Sequence, residues 1–354
     1  MHLVEMLARR AVPAAGVSVG ITRRCPLSCA HCSTSSTMQS EQSRPELFNR
    51  FVDTFTEASH PEFMAMSGGE ALLRPALVKN LALKARASGT KSSVLSGLFF
   101  ARKPGIPKSI KSAIDAVDHF SVSMDAFHER EVPRSNVFTV LNQLLDEGKH
   151  LSLHIAGERE DDPYLDDLVN LVQKRFGKRI PMLVNTLSPF GRAKTFFIQT
   201  ASPSTTTVEA SPCTMAAWPV VGFDGVVAAC GNDNLIGRVP SHLRLGDIRI
   251  HSWADIRSRC VDNAMQIALR TYGPEYLQTK FGSQGKTGCK GYCDTCINLD
   301  AQDAIQVGVS SQMLKPGARI LGDSVVDLQL ELGAVGFAKR YSHPRFAELV
   351  LLGA

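Results

Sequence analysis

The chain has 354 residues, 44% hydrophobic and 21% charged, with a net charge of +5. This is a globular composition, long enough for one large domain or two medium ones. Lys and Arg are scattered rather than clustered, which argues against a nucleic-acid-binding surface.

The opening MHLVEMLARRAVPAAG lacks a basic stretch ahead of an apolar run, and Arg9 and Arg10 interrupt its apolar residues, so it does not read as a signal peptide. No run of about 18 apolar residues predicts a membrane span. The expectation is a cytoplasmic chain. Nine cysteines fall in two groups: Cys25, Cys29 and Cys32, then Cys213, Cys230, Cys260, Cys289, Cys293 and Cys296. Close-set cysteines in such a chain point to metal rather than to a disulfide framework.

In chain order, GVSVGIT (16–22) predicts a strand, followed by the cysteine loop and a helix over 44–58. Strands are expected at 63–67, 92–96, 119–125, 150–157 and 180–186, with helices at 75–89, 106–117, 136–149 and 163–178. Six β–α units of this kind imply right-handed crossovers and a parallel sheet. They fall short of a closed eightfold barrel. The fold class expected is α/β, a partial (β/α)6 TIM-like barrel over 16–193 after a short extension (1–15). A Thr/Ser-rich connector (194–212) follows. Next comes a small β-hairpin/helix unit (213–300), in which Asp224-Gly225 predicts the hairpin turn. That unit includes LRLGDIRI (243–250) and one helix over 252–270. Residues 301–354 are expected to be a mixed extension with a helix near 344–352.

In parallel α/β folds the loops after the strands carry the site. Cys25, Cys29 and Cys32 (C-x3-C-x2-C) sit in such a loop, and Ser67-Gly68-Gly69-Glu70 ends the second strand. Three thiolates leave one iron of a [4Fe–4S] cluster open, as a substrate position is left open on a catalytic zinc. Zinc with His31 as fourth ligand remains the alternative on spacing alone.

The loop and its setting resemble the radical S-adenosylmethionine (SAM) enzymes. The resemblance implies that SAM chelates the open iron. It is then cleaved reductively to methionine and a 5′-deoxyadenosyl radical, which abstracts a substrate hydrogen. It also implies an external one-electron donor of flavodoxin or ferredoxin type. Ser67, Gly68, Gly69 and Glu70 would hold the SAM ammonium, and Ser123 and Asp125, at the end of the fourth strand, the ribose. Ser123 and Asp125 suit helix capping equally well. Leu153 to Glu160 resembles the family's GxIxGxxE, with Leu153 in place of the first glycine and Ile155 expected on adenine. Ser188-Pro189-Phe190-Gly191-Arg192-Ala193 resembles its PxGRA segment, which makes Arg192 a cofactor-site candidate. His31 replaces an aromatic residue common before the third cysteine.

Cys213 and Cys230, flanking the hairpin, resemble the start of a SPASM/twitch extension. That likeness implies one auxiliary [4Fe–4S] cluster on Cys213, Cys230, Cys293 and Cys296, with Cys289 as a substitute ligand. A zinc knuckle is the alternative, and Cys260 is expected to be a buried thiol. The layout implies a ribosomally made peptide as substrate, or else a small molecule of sugar or cyclitol type. About 15 residues precede the first strand, so a leader-gripping domain is expected to be absent and a separate protein to supply the grip. Asp125, His128 and Tyr292 are the candidate catalytic residues. A non-enzymatic zinc protein is the remaining alternative.

Overall fold

The structure is a computed structural model that describes residues 1–197, 209–282, 291–299 and 303–354. A short helix, α1 (Leu3–Ala8), precedes β1 (Gly16–Gly20). Then follow α2 (Pro45–Val52), β2 (Phe63–Ser67), α3 (Pro75–Ala87), β3 (Lys91–Ser96), α4 (Lys108–Ala116) and β4 (His119–Asp125). After β4 come α5 (Ala126–Glu129), α6 (Arg134–Asp146), β5 (Leu151–Gly157), α7 (Pro163–Phe176) and β6 (Met182–Thr186). The six expected strands all form and pair in parallel in chain order. The result is the open partial barrel that the sequence implied.

The faces of this sheet differ sharply. On β4, Phe120, Val122 and Met124 alternate with His119, Ser121, Ser123 and Asp125. The register matches Val122 with Leu153 and Met124 with Ile155, so these side chains share a face. Together with Val17, Val19, Met64 and Met66 they are almost wholly buried, in one cluster with helix residues such as Leu81, Leu141 and Leu168. Each such side chain contributes roughly 1.5–3 kcal/mol by burial. The opposite, concave face carries small and polar groups, among them Ser18, Ser67, Ser121, Ser123 and Ser152, and Ser18, Ser67 and Ser123 border cavities. Helices thus cover the apolar face and leave a polar trough inside.

The hairpin continues this sheet. Strands β7 (Val220–Val221), β8 (Val226–Ala228) and β9 (Arg244–Asp247) follow. β7 runs parallel to β1, with Ser18 opposite Val220, and the described strand order is β6-β5-β4-β3-β2-β1-β7-β8-β9. Gly225 takes the positive φ of +88° that the Asp-Gly turn requires.

The single helix expected over 252–270 is two, α8 (Trp253–Asp262) and α9 (Ala264–Thr271). Asn263 breaks it: its backbone is extended, and its side chain caps α9 by accepting from Met265 N at 2.9 Å. Next come α10 (Pro274–Phe281), α11 (Tyr292–Asn298), α12 (Asp303–Met313) and the long α13 (Pro316–Tyr341), interrupted at Gly333. The helix expected near 344–352 is a 3-10 helix over Pro344–Leu351. Leu3, Leu7, Ala334, Ala338 and Val350 form a second apolar cluster, which joins the two ends of the chain under the barrel. No helix among the described residues is long and apolar enough to cross a membrane.

Candidate active site

The loop after β1, the turn after β2 and the segment after β6 converge on one cavity of about 300 Å³. Its walls include Cys25, Cys29, Cys32, Gly68, Ser123 and Arg192, and Ser67, Gly69 and Glu70 complete the β2 turn on the same rim. The three cysteines are free thiols. Burial, reinforced by Glu70 and the other two thiols, pushes the Cys25 thiol up to about 12. A positive centre is what would hold such a group as thiolate.

Hydrogen bonds fix the loop. Gly69 N donates to the Thr22 carbonyl at 2.8 Å, and Glu70 N to that of Arg24 at 2.9 Å. Arg192 clamps the far side: its backbone N–H donates to the Cys32 carbonyl, Nε to that of Cys29 and Nη1 to that of Ser36, each at 2.9 Å. Its Nη2 is buried without a partner. Arg192 therefore borders the cavity chiefly as a brace for the cysteine loop.

Glu70 is buried, and its carboxylate accepts from Leu72 N at 2.9 Å, Ser96 Oγ at 3.1 Å and Gly97 N at 2.9 Å. Burial outweighs these bonds and raises its pKa. Three of its four acceptor sites are thus used within the protein. It ties the end of β2 to the end of β3 more than it offers charge to a ligand.

Ser123 and Asp125 divide the two roles expected of them. Ser123 borders the cavity. Asp125 is 2% exposed and caps α5, accepting from Phe127 N and His128 N at 2.9 Å each. Its other oxygen meets His128 Nδ1, and His31 Nε2 at 3.2 Å. Burial disfavours its charge, but His128 and His31 outweigh this and hold Asp125 well below the usual carboxylate range. The same carboxylate lifts His128 well above its ordinary value against the cost of burial. His128 also hydrogen-bonds Cys29. His31 stacks on Phe127 at 4.7 Å.

Ile155 lies elsewhere. Its register partner Met124 puts it on the helix-covered face, with 1% exposure, and it borders no described cavity wall. The residues of β5 that share the concave face are Ser152, His154 and Ala156, because side chains alternate along a strand. The displaced glycine at Leu153 was the signal that the motif's correspondence is loose here. Conversely, Leu95, Ser96 and Gly97 at the end of β3 and Thr186 at the end of β6 border the cavity, although no motif in the sequence marks them. Their position at strand ends was the available clue.

A second cavity of about 510 Å³ adjoins the first, sharing Ser33, Thr34, Ser67, Gly68 and Leu95 with it. It runs along the concave face of β1 and the hairpin to Cys230 and Arg10. Asp233 accepts from the Ser33 side chain, and Arg23 donates to the Thr34 carbonyl at 3.0 Å while its guanidinium lies over Phe223. These contacts tie the cysteine loop to the hairpin.

Beyond this cavity, Cys213, Cys230, Cys293 and Cys296 are neighbours. Burial raises the thiol of Cys230 to about 12 and that of Cys296 well above the ordinary value, and the neighbouring thiols add to both shifts. Cys289 lies outside the described residues. Cys260 is buried within α8, its thiol donating to the Ala217 carbonyl at 3.3 Å. Tyr292 stands beside this cysteine group and donates to the Ser211 carbonyl; it borders neither cavity.

Residues 19–172 match the family model described as the radical SAM superfamily. The fold is similar to that of Streptococcus suis SuiB bound to S-adenosylmethionine, at 12% identity and a TM-score of 0.54, over 81% of this chain and 74% of that one. SuiB bound to its precursor peptide SuiA matches at 11% identity and a TM-score of 0.51, over 77% and 70%. The enzyme anSMEcpe with AdoMet and the Cp18Cys peptide matches at 12% identity and a TM-score of 0.50, over 88% and 99%. At these identities the likeness establishes the fold. No curated protein matches the chain. Members of that superfamily use a [4Fe–4S] cluster and SAM.

Proposed function

We propose that the chain is a radical SAM oxidoreductase that modifies a ribosomally made peptide, with an auxiliary [4Fe–4S] cluster on its C-terminal cysteines. The carrying observation is the pair of adjoining cavities. One is walled by Cys25, Cys29, Cys32 and the Ser67–Glu70 turn, and the other leads from it to Cys230. Three thiols and an open fourth position fit a cluster that must also bind SAM. When bound, that cluster supplies the electron that splits SAM into methionine and a hydrogen-abstracting 5′-deoxyadenosyl radical.

The chain's own residues then have separable tasks. Arg192 and the Ser67–Glu70 turn hold the cysteine loop in place, and Ser123 offers a hydroxyl to a sugar lying along β4. Apolar Leu27 and Leu95 in the cavity wall restrict water around a reactive radical. The second cavity takes the substrate between the two cysteine groups. Cys213, Cys230, Cys293 and Cys296 would hold the auxiliary cluster, and the chemistry it would supply there is uptake of an electron. The peptide reading draws support from the fold shared with SuiB and anSMEcpe, both solved with peptides. A flavodoxin- or ferredoxin-type donor supplies the first electron.

Anaerobic reconstitution tests this. Brown protein with about eight irons that releases 5′-deoxyadenosine on reduction is expected. Colourless, zinc-loaded protein would overturn the reading, and about four irons would remove the auxiliary cluster alone. Changing Cys213 and Cys230 to Ala should spare SAM cleavage and abolish product. A neighbouring gene for a short precursor peptide supports the peptide substrate; neighbouring sugar or cyclitol enzymes would transfer the proposal to a small molecule.

A further inference from the structure

Arg10 is a buried cation with no carboxylate partner among the described residues. It is 9% exposed, its Nη1 has no hydrogen-bond partner, and its Nη2 reaches only the Met215 carbonyl at 3.5 Å. Its guanidinium lies 4.7 Å over the Trp218 ring, which orients it and leaves its edge free. An isolated buried charge is costly and calls for an anion. None of the described ion pairs includes it.

Two features identify the anion. Arg10 and Cys230 border the same cavity. The anchor of its Nη2, Met215, is two residues from Cys213. We propose that Arg10 is the counter-cation of the C-terminal four-thiolate group, placed to offset the negative charge of its cluster and set its redox potential. This rests on the auxiliary cluster of the proposed function. Arg10 is then a positioning residue of the electron acceptor rather than a contact of SAM or substrate.

The electrostatics agree. Burial lowers the Arg10 pKa to about 10, and the thiols of Cys213 and Cys230 are the leading influences that pull it back up. Electron uptake makes a cluster more negative, so a nearby fixed cation favours the reduced form. Removing the cation should move the midpoint potential to more negative values.

The test uses the full chain with Cys25, Cys29 and Cys32 changed to Ala, so that only the C-terminal cysteines hold iron. Iron content is measured first; about four irons are expected. If this parent holds none, the auxiliary cluster and the Arg10 proposal fall together, and the iron count shows it before any potential is read. With the cluster present, an EPR-monitored redox titration compares the parent with Arg10→Gln, Arg10→Met and Arg10→Lys. Both neutral variants should shift negative, and Lys should stay near the parent. Full iron with an unshifted potential in Gln and Met overturns the proposal, as does a shift in Lys equal to that in Met. If the neutral variants lose their iron, retention in Lys supports the charge role and loss in Lys refutes it.

Discussion

A Cβ on Gly69 would stand 2.4 Å from the carbonyl oxygen of Arg23 and 2.5 Å from that of Arg24, both backbone atoms. The turn after β2 can therefore lie against the cysteine loop only without a side chain there. Gly69→Ala should force the loop outward, at a cost of roughly 1–3 kcal/mol of stability, and lower the iron held by Cys25, Cys29 and Cys32. Arg192 works from the other side, donating to three loop carbonyls. Arg192→Met should deplete iron at the same cysteines and leave the C-terminal group loaded. Arg192→Lys should restore little, because one ammonium cannot reproduce a planar fork of donors. Iron counts on chains carrying only one cysteine group check both; unchanged N-terminal iron in Arg192→Met would show that the loop holds itself. Both residues were noticed in the sequence, but as cofactor contacts. Their bracing role depends on carbonyls brought near by tertiary packing, which no local pattern records.

At the scale of elements, periodicity and stop signals suffice where a segment follows the rules of its own period. The strands β2 and β4 appear with the bounds expected from the sequence. The register shows why Ile155 lies off the cavity: one residue along a strand exchanges the trough for the helix layer. The 252–270 segment keeps an apolar period across Asn263, so only its side-chain cap reveals the break. α13 stayed hidden because Gly317, Gly322, Gly333 and Gly336 depress helix propensity along it. One element-level consequence concerns pH. His119, on the concave face of β4, is fully buried, with Nε2 2.8 Å from Ser152 Oγ and Nδ1 3.1 Å from the Met1 carbonyl. Burial lowers its pKa from 6.5 to about 3, and His154, His2 and the amino terminus push the same way. The unfolded chain thus binds this proton more readily than the folded one. The contribution is whole above pH 6.5 and is lost as pH falls toward 3, by up to about 1.4 kcal/mol per pH unit. His119→Gln should flatten stability against pH in that window. A wild-type slope retained in the variant would assign the acid sensitivity elsewhere.

For the whole molecule, the two cysteine groups belong to one sheet. β1 leads into the first cysteine loop and pairs along its other edge with β7, which lies between Cys213 and Cys230. The sequence showed both groups and the hairpin between them. It could not show that the hairpin docks on β1, because pairing across about 200 residues leaves no local trace. Nor could it show that Arg10, in sequence one more charge in a short extension, ends on the same cavity as Cys230. The docking has a visible hinge point. A Cβ on Gly16 would lie 2.3–2.5 Å from three atoms of the Trp218 ring. Trp218 in turn stacks on Phe63 at 5.8 Å and carries Arg10. Its neighbour Pro219 accepts from Ser18 N at 2.9 Å, the first rung between β1 and the hairpin. Gly16→Val should displace Trp218, loosen that rung and scatter Cys213 and Cys230, while β1 stays paired with β2. The expected outcome is a several-fold fall in metal retention by the C-terminal cysteines with retention at Cys25, Cys29 and Cys32 unchanged. Trp218→Leu added to Gly16→Val should recover part of the loss by making room for the new side chain. Equal loss at both groups would instead show that β1 itself is broken, and that the hairpin is positioned by contacts other than this one.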